Sequence, residues 1–255
     1  MSDFPRLSHA GRKVVRSLQL RRGRDEAQQF LAEGRKLCAE LLASAYSPGF
    51  IVVSDAAGSE ELMLAGEFAA RGTPAYSLGG RDFDGIADAR TPQGILATVQ
   101  YPQDRSISSA RRLVVLDGVA DPGNVGTIIR TADWFGFRDI ILGEGCADRF
   151  SPKVVRATMG SVFRCNVIET GNLAAGLAEL HSTFRLYGAA LAGAKQLGEC
   201  CPDGAFGVVF GGEARGISPE TTRLLGESFV IPGGGAESLN VAVAAGIALY
   251  HFAVR

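Results

Sequence analysis

Phe229-Val-Ile-Pro-Gly-Gly-Gly-Ala-Glu-Ser-Leu-Asn-Val-Ala-Val-Ala-Ala-Gly-Ile-Ala-Leu-Tyr250 reads as a strand, a glycine loop and a long apolar helix. The strand residues Phe229, Val230 and Ile231 stop at Pro232, and three glycines follow, free of side-chain sterics. Ser238 stands where an N-cap would open the helix. A loop of this kind exposes backbone N–H and C=O groups, and the helix start adds unpaired donors with a partial positive end. Taken alone, the run is equally an ordinary strand-to-helix corner and a ligand loop.

Working outward, short apolar strands are expected near 113–116, 138–142, 163–168, 185–190, 206–210 and 229–231. They alternate with helices near 124–135, 152–160, 172–182, 218–225 and 238–253. This alternation calls for a mainly parallel sheet covered on both faces. A Rossmann fold is the first expectation from such a pattern, but no G-x-G-x-x-G follows the first strand. The glycines gather after the late strands instead.

Two further stretches give the glycine loop its context: Leu116-Asp-Gly-Val-Ala-Asp-Pro-Gly-Asn-Val-Gly-Thr-Ile-Ile-Arg-Thr-Ala-Asp-Trp-Phe-Gly136 and Val208-Val-Phe-Gly-Gly-Glu-Ala-Arg-Gly-Ile-Ser218. In order and spacing the three closely resemble the signature motifs of the SpoU/TrmH family of S-adenosyl-L-methionine-dependent RNA ribose 2′-O-methyltransferases, in the SPOUT superfamily. The resemblance covers roughly residues 110–255. It implies an α/β fold, a mainly parallel sheet with a C-terminal trefoil knot, which the general rule against knots would have opposed. It also implies a homodimer formed through the C-terminal domain. Among polar positions it points to Asn124, Arg130, Glu213, Ser238 and Asn240 as active-site residues. For the cofactor it points to Gly211, Gly212, Ile231, Gly235 and Leu239. One departure is Gly233, where many relatives carry Met after the Ile-Pro pair.

Ribose methylation requires the 2′-hydroxyl to be placed in line with an electrophilic methyl group and relieved of its proton. Free arginine, with a pKa above about 12, is a poor base, so Arg130 is expected either as base, with an adjacent RNA phosphate, or as the group that orients the hydroxyl. Asn124 follows Asp121-Pro122-Gly123 and is expected to cap the helix that carries Arg130. By resemblance Glu213 orders the active-site loops or contacts substrate, and Arg215 meets a phosphate, although a surface ion pair is nearly as good an explanation of Arg215. Ile231 and Leu239 offer apolar walls and backbone groups to an adenine.

The first hundred residues form a separate α/β pattern. A basic helix is expected from His9 to about Arg22, ended by Gly23, then a strand at Gln29–Ala32, a helix over 34–45, a strand at Phe50–Val53, a helix over 60–70 and a strand over 94–100. Gly23-Arg24-Asp25, Phe30-Leu31-Ala32-Glu33-Gly34 and Thr91-Pro92-Gln93-Gly94-Ile95 resemble, more loosely, the N-terminal substrate-binding domain of family members that act on ribosomal RNA. The expected division is therefore 1–105 for RNA binding, a polar linker over about 101–109, and 110–255 for catalysis. The presence of this domain favours 23S ribosomal RNA; tRNA, or an RNA-binding assembly role without turnover, is the alternative.

A formal net charge of −1 excludes gross polycationic binding, yet residues 6–36 hold nine Lys or Arg against three acidic residues. Arg12, Lys13, Arg21, Arg22 and Arg24 are the candidate phosphate contacts of that stretch. Five cysteines without C-x-x-C spacing and three scattered histidines suggest neither a metal site nor a disulfide framework. No apolar run is long enough for a membrane span and the start lacks a secretory pattern, so a cytoplasmic location without membrane attachment is expected.

Overall fold

The computed structural model describes residues 4–103, 105–107, 110–180, 184–190, 195–235 and 237–254. The expected linker at 104, 108 and 109, the end of the helix expected over 172–182, and His181 lie outside them. The chain divides into two compact units. One comprises the described residues of Met1–Gln103 with Phe150–Phe163, the other those of Asp104–Arg149 with Arg164–Arg255.

In the first unit the elements are α1 (His9–Ser17), α2 (Arg21–Ala27), β1 (Gln29–Glu33), α3 (Arg35–Leu42), β2 (Pro48–Ser54), α4 (Ser59–Ala70), β3 (Ala75–Leu78), α5 (Gly80–Asp84) and β4 (Ile95–Gln100). The sheet runs β1-β4-β2-β3, antiparallel except between β2 and β3. Both faces are covered, and the strands show why. Phe30, Ala32, Ile51, Val53, Ile95 and Ala97 pack one way, against Leu37, Leu41, Leu64 and Phe68 of α3 and α4. Leu31, Val52 and Leu96, each one residue out of phase, pack the other way with Val15, Leu18 and Phe83. β3 and α5 are short and lie outside the elements that periodicity predicts.

Gly23 does not end a helix; it lies inside α2. A Cβ there would stand 2.1 Å from the Ser17 carbonyl oxygen, so glycine lets α2 cross the end of α1 closely. The turn between the helices is held by Arg24, whose Nη1 donates to the carbonyls of Leu18 and Gln19, each at 2.9 Å.

The segment 150–163, expected in the catalytic domain, clusters with the first unit. Its apolar residues explain this: Phe150 stacks on Phe30 with centroids 4.4 Å apart, and Val155, Val162 and Phe163 join the same core. This segment carries α7 (Pro152–Thr158), while the preceding elements β5 (Arg112–Asp117), α6 (Pro122–Trp134) and β6 (Asp139–Leu142) belong to the second unit.

The second unit continues with β7 (Asn166–Glu169), α8 (Leu173–Leu180), β8 (Arg185–Ala189), β9 (Lys195–Gln196), β10 (Phe206–Gly211), α9 (Pro219–Thr222), β11 (Glu227–Val230) and α10 (Val241–Val254). The strand expected over 163–168 is shifted to β7, because 161–163 forms a 3-10 turn. The sheet order is β7-β6-β5-β10-β8-β11-β9 and every pairing is parallel. The late strand β10 is thus inserted between β5 and β8. Leu113, Val115, Ile141, Leu186 and Val209 face Leu173 and Leu177 of α8. Elsewhere in this unit Phe252 of α10 meets the rings of Tyr187, Phe206 and Phe229. Buried parallel strands of this kind need both faces covered, and their loops then emerge together at the strand ends.

Candidate active site

Asp121, not Asn124, caps α6: its carboxylate accepts from Asn124 N at 2.8 Å, and Pro122 fills the first turn, where no N–H is needed. Asn124 therefore sits inside the first turn with its side chain free for other work. A similar correction applies to α10. The helix begins at Val241, and Asn240 Oδ1 accepts from Ala242 N at 3.0 Å and Val243 N at 3.3 Å. Ser238 is exposed and two residues too early to reach those donors.

Capping fixes the orientation of the Asn240 amide. With Oδ1 turned to the helix, Nδ2 donates to Asn124 Oδ1 at 3.0 Å and to Glu213 Oε1 at 3.2 Å. Asn124 Nδ2 donates to the same carboxylate oxygen at 2.9 Å. Three residues from three remote segments thus close one hydrogen-bonded ring.

The loop carrying Glu213 is anchored at both ends by Asp117, which nothing in the sequence marks out beyond its place at a strand end. Asp117 O accepts from Gly212 N at 2.8 Å. Its carboxylate accepts from Ser218 N at 2.9 Å and Ser218 Oγ at 2.8 Å. Gly211 and Gly212 are explained by this tight path. A Cβ on Gly211 would lie 2.0 Å from Gly216 C, and one on Gly212 would lie 2.2 Å from Gly118 O. Their lack of a side chain therefore serves backbone packing in the first place. Gly233, Gly234 and Gly235 differ, since a Cβ on any of them meets no atom of the described residues within 4 Å. Beside these open glycines, Ile231 is half-buried and Leu239 is 46% exposed. An apolar wall next to open backbone suits the flat adenosine part of S-adenosyl-L-methionine.

Arg130 is not brought into the ring. It lies on the exposed side of α6 and makes no hydrogen bond or ion pair among the described residues. Six residues of helix put it about 9 Å along the axis from Asn124 and about 120° around it. Arg215 is exposed and likewise unpaired. Of the basic N-terminal set, Lys13 is exposed with no partner among the described residues, and Arg21 and Arg22 make exposed i,i+4 pairs with Asp25 and Glu26. Arg12 is paired with Asp82 at 2.9 Å. Arg24 is 2% exposed and spent on the α1–α2 turn, which removes it from the phosphate contacts.

Two domain families match this chain: the SpoU rRNA Methylase family over residues 111–250 and the MRM3-like substrate binding domain over residues 13–97. The first match spans the parallel sheet, the ring and both glycine loops. The chain belongs to the SpoU rRNA methylase family. Among its relatives, the 23S rRNA (guanosine(2553)-2′-O)-methyltransferase RlmP of Bacillus subtilis is 34% identical over 241 residues, 94% of each chain. A solved TrmH-family structure from Porphyromonas gingivalis is 36% identical, covers 96% of this chain and 98% of its own, and superposes with a TM-score of 0.84. The AdoMet-bound rRNA methyltransferase from Sinorhizobium meliloti is 30% identical, covering 97% of this chain and 95% of its own, also with a TM-score of 0.84. In this SpoU chain the ring Asn124–Glu213–Asn240 joins one residue from each of the three signature stretches, so the motifs that are far apart in sequence meet in one place. No helix among the described residues is long and apolar enough to cross a membrane.

Proposed function

We propose that this chain transfers a methyl group from S-adenosyl-L-methionine to a ribose 2′-hydroxyl of 23S ribosomal RNA. The observation that carries the reading is the ring of Asn124, Glu213 and Asn240, which links the start of α6, the loop after β10 and the cap of α10. The ring holds the two glycine loops in register. Ile231, Leu239 and the open glycines at 233–235 would hold the cofactor, which when bound supplies an electrophilic methyl on a sulfonium. Arg130, cationic and unpaired, orients the 2′-hydroxyl or helps remove its proton with a neighbouring phosphate. Lys13, Arg12, Arg21 and Arg22 in the first unit supply charge for RNA capture, and exposed ion pairs such as those of Arg21 and Arg22 open at little cost. Mapping 2′-O-methyl positions in 23S rRNA from cells with and without the gene should show one site lost; an unchanged map would overturn the substrate.

A homodimer through the second unit belongs to the same proposal. On α10 the exposed residues Val243, Ile247, Tyr250 and Val254 recur at spacings of one helical face, and Trp134 of α6 is 84% exposed. Phe135 meets Tyr250 at 5.9 Å, so the two helices present one apolar surface. Arg130 lies one turn before Trp134 on the same exposed side. A second copy seated there would cover the apolar stripe and bring a partner surface to Arg130, which a single chain leaves apart from the ring. The family's trefoil knot is part of this reading too, favoured by the insertion of β10 between β5 and β8.

A further inference from the structure

The second unit opens a cavity of about 810 Å³ at the carboxyl ends of β7, β6, β5 and β10. A crevice outside the carboxyl ends of parallel strands is where such sheets bind ligands, and its size is that of a small-molecule pocket. Of the residues expected at the cofactor and substrate sites, only Gly212 and Arg215 line it. It is therefore separate from the glycine loop at 233–235.

Its walls hold four charged residues, Asp117, Glu144, Arg215 and Glu220. Asp117 is occupied by Ser218. Glu144 and Arg215 are exposed and make no hydrogen bond or ion pair among the described residues. Glu144 stands in the turn between Gly143 and Gly145. Gly171 is needed neither for a left-handed backbone nor for packing, since its φ is not positive and a Cβ there would meet no atom of the described residues within 4 Å. Leu173 and Ala174 add an apolar stretch beside it. An open floor, an apolar wall, an acceptor pair and a cation suit a planar base joined to a phosphate.

We propose that this cavity binds a guanine base of the RNA substrate, with the Glu144 carboxylate accepting from N1–H and the N2 amino group and Arg215 meeting an adjoining phosphate. The inference rests on the reading that the chain acts on RNA. A carboxylate has only acceptors, two of them side by side. Guanine alone presents two adjacent N–H donors on its Watson–Crick edge. Adenine and cytosine set a ring acceptor beside their single amino group, and uracil flanks its one N–H with carbonyls. Single-stranded RNA is read in this way, by splayed bases held at their edges. Arg215 and Glu213 are two residues apart on one loop, so the base is held beside the ring that organises methyl transfer.

The test uses full-length protein and three nucleotides, guanosine, inosine and adenosine 5′-monophosphate, with affinities measured by saturation-transfer NMR titration. Inosine keeps N1–H but lacks the amino group, so loss of one charge-assisted hydrogen bond should weaken it about tenfold relative to guanosine. Adenosine monophosphate should bind weakest. Glu144→Gln should erase the preference for guanosine over inosine, and Gly171→Leu should remove binding of all three by filling the floor. In both variants the melting temperature and S-adenosyl-L-methionine affinity should stay at wild-type values. Equal affinities for the three nucleotides, no guanosine monophosphate binding in the millimolar range, or a preference untouched by Glu144→Gln would each overturn the assignment. Because nucleotide binding is read without methyl transfer, the two readings fail separately. A protein that methylates rRNA but shows no guanine preference sinks the pocket alone, whereas one that binds no S-adenosyl-L-methionine sinks the enzyme reading.

Discussion

Arg130→Ala should leave the fold intact, because the side chain is exposed and Ile128, Ile129 and Ala132 hold α6 on the sheet without it. Methyl transfer in single turnover at saturating cofactor and RNA should fall by about 100- to 10,000-fold, the usual range for general acid–base assistance. Lysine should rescue poorly, since a point charge does not reproduce the planar fork. Near-normal turnover by the alanine variant would remove Arg130 from the chemistry. The cysteines give an independent check on burial. Burial, with Asp133 second, pushes the Cys165 thiol up to about 12, and burial first, then Glu33, raises Cys38. At neutral pH both buried thiols keep their protons in the fold, so a thiol reagent should label exposed Cys201 first and reach Cys38 and Cys165 only on unfolding. As pH rises from the ordinary thiol value of 9.0 towards 12, the unfolded chain releases protons that the fold retains, so melting temperature should decline across that window.

Helix α10 combines two duties in its cap, and substitution separates them. Asn240→Ala removes both the acceptor for Ala242 and Val243 and the donor to the ring, so it should cost about 1 kcal/mol in denaturant unfolding as well as activity. Asn240→Asp keeps the acceptor but loses Nδ2 and sets a second carboxylate beside Glu213. Stability should then fall less than in the alanine variant while methyl transfer is lost; equal activity in wild type and Asn240→Asp would show that the ring is not needed for turnover. At the other end of the chain, Gly23→Ala should destabilise the first unit, because the added methyl meets the Ser17 backbone rather than a side chain able to move away. A melting temperature equal to wild type would mean that α1 and α2 can separate freely.

For the molecule as a whole, the proposed pairing places Val243, Ile247 and Tyr250 against a second copy. Val243→Glu with Tyr250→Glu should yield a monomer by light scattering with little loss of melting temperature, since both side chains are more than half exposed in the single chain. A wild-type protein that is already monomeric at working concentration would dismiss the dimer. Cutting the chain between its two units is predicted to be costly. Removing residues 1–103 would leave Phe150, Val155, Val162 and Phe163 without the core they share with Phe30, so the remainder should bind a hydrophobic dye and aggregate. RNA capture is better tested by Lys13→Glu with Arg22→Glu in the full chain, which should weaken RNA binding and flatten its salt dependence.

The sequence by itself determined the alternation of strands and helices, the absence of a dinucleotide loop after β5, and three motifs whose polar residues define the family. Hydrophobic period and glycine or proline punctuation are local properties, and a linear chain displays them directly. The partners of those residues were decided only by tertiary structure. Which of Ser238 and Asn240 caps α10 depends on where the backbone turns helical, a matter of one or two residues that composition leaves open. Arg24 looked like a phosphate contact in the sequence and is a buried brace in the fold, because a guanidinium satisfies carbonyls as readily as phosphates. Segment 150–163 follows the first unit because its phenylalanines and valines share the buried core around Phe30, and apolar burial outweighs chain order. The ring of Asn124, Glu213 and Asn240 spans 116 residues between its two asparagines, and only packing of the parallel sheet brings their loops to one edge.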